Sequence, residues 1–285
     1  MVKKIWNWPV VRLVREMADI YFTERVDAAA AALAYFLILS FFPLLICVNA
    51  FVGVLRVDVN SVLQALSAFL PPSLLGVVSD YLSYVSSNNS PALLAAGGFM
   101  TLFFASGAMR SLMNIMNDIY GRRGFRGIWQ VVVSVAFSLL LLVTMYLSMI
   151  VVLTGNWFFH LLERYLPFNW LSGLWDWQWF KFLLLFGVVF VLVMAVYLMS
   201  APLGKPRAPV FLGAFLASVA LVAASWIFSV FIGMSSRYSL IYGSLASMII
   251  LLLWLYLCGN VLILGNVFNC VRYRWKKDKN LEKNP

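Results

Sequence analysis

The sequence predicts an all-α polytopic membrane protein, six transmembrane helices with interfacial amphipathic helices beside them. Three observations carry that reading. Hydrophobic residues make up 63% of the 285 and charged residues 11%, where a soluble globular chain averages roughly 45–50% and about 25%. The apolar residues gather in six runs, each long enough to cross about 30 Å of hydrocarbon. Lysine and arginine sort onto alternate connections between those runs. Disorder is excluded as well, since it needs low hydrophobicity and high charge.

The six runs are 28–55, 92–109, 128–154, 180–200, 210–232 and 243–270. They divide the chain into a cytoplasmic amphipathic segment over 1–27, a membrane domain over 28–270 and a basic cytoplasmic tail over 271–285. The first and last runs are long and must tilt, bend or protrude. The second is the shortest, and its helix is expected to continue past Met109 as a polar extension. No run alternates polar and apolar residues, which excludes a β-barrel. A cleavable signal peptide is not expected, because 27 residues of mixed charge precede an apolar run too long for its core.

Residues 1–27, 110–127, 201–209 and 271–285 hold 17 of the 21 Lys and Arg. The other connections hold Arg56, Arg164, Lys181 and Arg237. Positively charged loops stay on the cytoplasmic side, so both termini are expected there, and an even number of spans agrees. This placement accounts for the net charge of +10 without nucleic acid, which is not expected as a partner. Cys47, Cys258 and Cys270 have neither metal-ligand spacing nor a disulfide pattern and read as small apolar residues.

Two segments outside the spans are amphipathic. In the first, Val10, Leu13, Val14, Met17 and Tyr21 share a helical face behind Lys3, Lys4, Trp6 and Trp8. That suits a helix lying in the cytoplasmic interface. In the second, Leu74, Val77, Val78, Tyr81 and Val85 recur at helical spacing opposite Ser79, Asp80, Ser83, Ser86 and Ser87. Pro71 and Pro72 separate it from a shorter helix at about 59–70, giving an external hairpin. Trp157, Trp170, Trp175, Trp177 and Trp179 crowd one external loop and read as an interfacial anchor belt.

The enzyme case is weak. The one histidine, His160, lies in the tryptophan-rich loop, no cluster has zinc spacing, and neither a Walker A sequence nor a dinucleotide loop is present. No metal or cofactor is expected. Glu16, Asp19, Glu24, Asp27, Asp118, Asp278 and Glu282 share the cytoplasmic side and read as balancing neighbouring arginines. No Asp, Glu, Lys or Arg sits deep in a span, which argues against a carboxylate-coupled proton antiporter.

Uncharged polar residues remain inside the spans. Ser218, Ser225 and Ser229 share one helical face, as do Ser134, Ser138 and Ser148. Such seams serve helix packing or line a polar pathway. Pro43 sits mid-span and frees the carbonyl of Leu39, with Ser40 nearby to satisfy it. It is read as a static bend or a hinge. Asn49, Asn260, Asn266 and Asn269 each need a partner in a dry setting, either another helix or a substrate. Arg237, Tyr238, Tyr242, Gly243 and Ser244 open the last span from outside. They form a helix cap or a site for an anionic headgroup.

Three stretches together resemble the YihY/BrkB family of bacterial membrane proteins, historically labelled ribonuclease BN. They are residues 30–36 (AAALAYF) with Ser40-Phe41-Phe42-Pro43, then Asn117-Asp118-Ile119-Tyr120-Gly121, then Tyr242-Gly243-Ser244-Leu245 running to Leu253-Trp254-Leu255-Tyr256 and Leu264-Gly265. The resemblance covers about residues 20 to 270. It implies a multi-pass protein of the bacterial cytoplasmic (inner) membrane with cytoplasmic termini. In the family's Gly-Ala-Glu-Leu/Phe-Asn pattern, Gly265, Phe268 and Asn269 match, while Val267 stands at the glutamate position.

The function expected from these features is transport or lipid translocation, with Pro43, Asn49, the two serine seams and Asn260 along the pathway. The alternative is a non-catalytic envelope-integrity or scaffold protein. Expected partners are membrane lipids, anionic ones at the cytoplasmic face, and further copies of the chain. The ribonuclease label has no support in the residues.

Overall fold

A computed structural model describes residues 9–55, 63, 72–87, 91–121, 128–136, 138–140, 177–202, 209–234 and 245–281. Among the described residues all regular structure is helical. The main elements are α1 (Pro9–Thr23), α2 (Val26–Leu55), α3 (Pro72–Ser87), α4 (Pro91–Ile119), α5 (Trp177–Ser200), α6 (Val210–Met234) and α7 (Leu245–Leu281). A shorter apolar stretch, Ile128–Leu140, is also helical. Three helices hold windows long and apolar enough to cross a membrane, Val26–Cys47, Val210–Phe228 and Met248–Lys279. The expected helix at about 59–70 lies outside the described residues except Leu63, as does the expected span beyond Leu140.

Proline opens three of these helices. Pro9, Pro72 and Pro91 are the first residues of α1, α3 and α4, where a missing N–H costs nothing and the fixed φ suits the helix. Pro43 sits inside α2. The Ser40 hydroxyl there donates to the carbonyl of Leu37 at 2.8 Å. The expected contact with the freed carbonyl of Leu39 is replaced by this one, because a serine bonds readily to the carbonyl one turn behind it.

At the end of α4, Gly121 takes a φ of +63° and donates its N–H to Asp118 O at 2.7 Å, a left-handed helix stop. Between α1 and α2 the same role falls to Arg25, with φ of 52°. A side chain makes that conformation costly by about 1–2 kcal/mol.

α2 packs against α4, and α7 packs against both α2 and α6, with α5 completing the bundle beside α6. The core joins Val26, Ala30 and Leu33 of α2 to Leu112, Met116 and Ile119 of α4. Val193 and Tyr197 of α5 and Ile263, Val267 and Val271 of α7 complete it. A smaller cluster seats α3 on α2, where Leu45 meets Val78 and Leu82. Leu82 was missing from the apolar face read along the sequence.

α1 carries a wider apolar arc than the bundle uses. Leu13, Met17, Ile20 and Tyr21 turn toward the core, while Val10, Val14 and Phe22 are exposed. The expected face therefore splits, half on protein and half free. A similar surplus covers the long helices. Phe211, Phe215, Val222, Trp226 and Phe231 of α6 are exposed, as are Phe99 and Phe103 of α4. Contiguous apolar surface of that extent is unusual on a soluble monomer and is what a bilayer covers.

α7 runs 37 residues without a break, about 55 Å at 1.5 Å per residue. It therefore continues well past 270, and most of the expected basic tail is its last turns. That extension docks. Arg274 donates to the carbonyl of Ile119 at 3.1 Å, a cation on the C-terminal end of α4.

Candidate functional site

Two polar regions stand out against this apolar body. The first is a seam inside the bundle, where α5, α6 and α7 meet. The backbones of α6 and α7 approach closely because Gly213 and Gly265 lack side chains. A Cβ on Gly213 would collide with the Asn269 amide, and one on Gly265 with the Tyr197 hydroxyl and Ala217. Small residues at such crossings let polar side chains bond between helices. Tyr197 donates to the carbonyl of Leu262 at 2.5 Å, and Asn269 donates to Val210 O at 3.3 Å.

The buried interior around this seam is incompletely satisfied. Asn266 is 0% exposed, yet neither its Oδ1 nor its Nδ2 has a hydrogen-bond partner. The Oδ1 of Asn269 and the hydroxyl of Tyr120 are buried without partners too. A buried polar group left unpaired costs roughly 1–3 kcal/mol. Asn266 lies one turn before Cys270, whose thiol donates to Ile119 O at 3.2 Å. It lies two turns after Gly259, which packs on Ala30. Helical spacing puts Asn266 on the face of α7 that Gly259 and Cys270 turn toward α2 and α4. Burial, with Cys270 and Tyr273 as neighbours, pushes the Tyr120 phenol well above its ordinary range. The hydroxyl stays protonated at neutral pH. Val267 is fully buried, so a carboxylate at that position would be buried as well.

The second region is an open cleft of about 310 Å³. One wall is the α1–α2 corner, Glu24 and Arg25 with Ala28 and Ala29. The other is a single stripe of α4, Ser111, Asn114, Ile115 and Asp118, at the i, i+3, i+4, i+7 spacing that aligns residues on one helix face. The carbonyl of the Asn114 side chain accepts from Gln130 at 2.5 Å. Glu24, Arg25 and Asp118 form no ion pair with one another among the described residues, so the three charges of the cleft are not spent on each other.

The structure distributes the residues singled out from sequence. Pro43 is half-buried in α2. Ser134 and Ser138 are buried and donate to Gln130 O (2.7 Å) and Ser134 O (2.8 Å), with Ser134 beside the Met113 sulfur of α4. Ser218 is buried and donates to Ala214 O at 2.9 Å. Ser225 accepts from the Trp254 indole at 3.4 Å. The two serine seams therefore lie on different interfaces, one against α4 and one against α7. Asn260 is satisfied at both ends, accepting from Tyr21 at 2.9 Å and donating to Tyr256 O at 3.0 Å. Ser148, Arg237, Tyr238, Tyr242, Gly243 and Ser244 lie outside the described residues. So do the side chains of Asn49 and Ser229, although their backbones are helical.

Sequence reasoning did not place Tyr197, Arg25 or the Glu24–Asp118 pairing at a site. The usable signal was the Asn266–Asn269 spacing, i and i+3 on an otherwise apolar helix. Nothing local marks the cleft, whose walls are some 90 residues apart. Among the described residues no group of three His, Cys, Asp or Glu is placed to hold a metal ion.

An all-helical bundle with lipid-compatible faces and a buried polar seam defines a helical membrane protein. The model of the virulence factor BrkB family matches residues 19–285, and the chain belongs to that family. A Bacillus subtilis (strain 168) protein, named as ribonuclease-like YfkH, is 25% identical over 272 residues, covering 93% of this chain and 96% of its own. A likeness at that level transfers no catalytic role. No solved structure matches.

Proposed function

We propose that this protein is a transporter or lipid translocator of the bacterial cytoplasmic membrane. In this reading the chain is threaded six times with both termini inside. The observation that carries it is the Asn266 amide, fully buried and with both polar atoms unpartnered. An amide that serves only packing finds a partner, as Asn260 does with Tyr21 and Tyr256. One kept unpaired at the meeting point of α2, α4 and α7 suits a polar group that passes or binds there. The close crossing of α6 and α7 at Gly213 and Gly265 borders the polar seam. The polar headgroup of a lipid would use such a seam while its chains remain among the exposed apolar faces of α4 and α6.

The test is reconstitution. Purified protein in liposomes carrying a fluorescent phospholipid should expose inner-leaflet label to a membrane-impermeant quencher faster than empty liposomes do. Equal rates would remove this reading.

A second reading, a non-catalytic envelope or scaffold protein, is favoured by the serines. Ser134, Ser138 and Ser218 all spend their hydroxyl protons on their own helices, which is what packing alone requires. It predicts no lipid movement together with self-association in detergent. The relative's ribonuclease-like name supplies a third reading, cleavage of RNA. Purified protein with a divalent cation would have to cut structured RNA and lose that activity on Asp118→Asn.

A further inference from the structure

We propose that the cleft between the α1–α2 corner and α4 binds a phosphate ester bearing a primary ammonium, the chemistry of a phosphoethanolamine headgroup. The proposal rests on the reading above only for the placement of this cleft at the cytoplasmic membrane surface, not for transport.

The side of the chain read as cytoplasmic is strongly basic, with 17 of 21 Lys and Arg, yet among the described residues the cleft wall presents two carboxylates, Glu24 and Asp118, against one guanidinium, Arg25. None of the three is in an ion pair among the described residues. A simple anion would meet two carboxylates here, and a simple cation would meet Arg25. A ligand carrying both signs a few bonds apart matches the whole set. The ammonium lies between Glu24 and Asp118, donating charge-assisted hydrogen bonds, and the phosphate is held by the Arg25 fork. Ser111 adds a hydroxyl. Ala28, Ala29 and Ile115 give the apolar floor on which the carbon link rests.

Size and position agree. At about 310 Å³ the cleft is at the small end of ligand sites, which run to about 1,000 Å³, so it suits a headgroup and not a whole lipid. It opens beside α1, whose exposed Val10, Val14 and Phe22 mark that helix as lying along the lipid surface. The left-handed backbone of Arg25 swings the chain around the corner. That brings Glu24 and Arg25 over α4.

The experiment is native mass spectrometry of the full chain, released from nanodiscs of equal phosphatidylethanolamine, phosphatidylglycerol and phosphatidylcholine. The expected result is preferential retention of phosphatidylethanolamine, falling about tenfold in Glu24→Gln and in Asp118→Asn, the size of one lost charged hydrogen bond. Asp80→Asn, an exposed position on α3, should change nothing. The two cleft variants sit on different elements, so misfolding of one leaves the other to decide.

Soluble glycerophosphoethanolamine is the second arm. Competition shows that the headgroup alone suffices, and its absence alongside retained lipid shows that the acyl chains contribute. Both results support the headgroup assignment. Equal retention of the three lipids, or unchanged retention in Glu24→Gln and Asp118→Asn, overturns it. Retention without lipid movement in the liposome assay would remove the translocator reading and leave this site standing.

Discussion

The indole N–H of Trp275 donates to Oε2 of Glu16 at 2.8 Å, joining the two ends of the chain. The other carboxylate oxygen of Glu16 pairs with Arg12 at 2.8 Å, and that guanidinium lies 5.4 Å from the centre of the Trp275 ring. Three side chains therefore clamp the interfacial helix α1 onto the last turns of α7. The clamp matters because Glu24 and Arg25 of the cleft wall follow directly on the end of α1.

Breaking this clamp loosens α1. Trp275→Ala and Glu16→Gln should each lower stability by about 1.5–3 kcal/mol, the range for a hydrogen bond to a charged group. The double variant should cost less than the sum of the two, because they remove the same bond. Proteolysis within α1, timed in detergent, is the direct readout. Additive losses would mean the two side chains act separately.

Asn266→Leu should raise stability by about 1 kcal/mol, since it removes two buried unpaired polar atoms and keeps a similar volume. In the same variant, lipid movement in liposomes should fall. A melting temperature that rises while flux is lost is the signature of a functional polar group. A fall in melting temperature would show that the amide is satisfied after all.

The α6–α7 crossing should not tolerate bulk. Gly213→Val forces atoms into the Asn269 amide, and overpacking of that kind costs about 1–3 kcal/mol or more. Thermal denaturation in detergent measures it. Gly187→Ala, on α5 with open space around its Cα, is the matched control and should stay near the parent.

Arg25→Gly removes the conflict between a side chain and a φ of 52°. Stability should rise by about 1 kcal/mol, read as an upward shift in melting temperature. The same variant should retain phosphatidylethanolamine less well, because the guanidinium is gone. A destabilised Arg25→Gly would show that contacts of the Arg25 side chain outweigh the strain.

Much of the fold was legible because hydropathy reports what a bilayer demands. α6 begins at Val210, where the 210–232 run starts, and the 28–55 run lies within α2. The end of α7 was not legible. Apolar residues stop at 270, but Arg and Lys are good helix formers and the helix continues to Leu281. On α1 the apolar arc was visible, but only tertiary packing decides that Ile20 turns inward and Val10 outward. The serine faces were found by periodicity. Their partners were not, because a helical wheel says which face is polar and not what it meets. The cleft was invisible for a plainer reason: Glu24 and Asp118 are brought together by the folding of α2 onto α4, and each alone reads as a charge balancing a neighbour.

The placement of the ends of the chain is the claim on which the rest depends, and thiol accessibility tests it most directly. Cys47, Cys258 and Cys270 are first replaced by alanine, and a single cysteine is then introduced as Lys283→Cys or Arg237→Cys. With a membrane-impermeant reagent on intact spheroplasts, the account predicts labelling at 237 and none at 283, and the reverse on inverted vesicles. Labelling of 283 from outside, or of both positions from one side, would contradict the six-span threading and with it the cytoplasmic placement of the cleft.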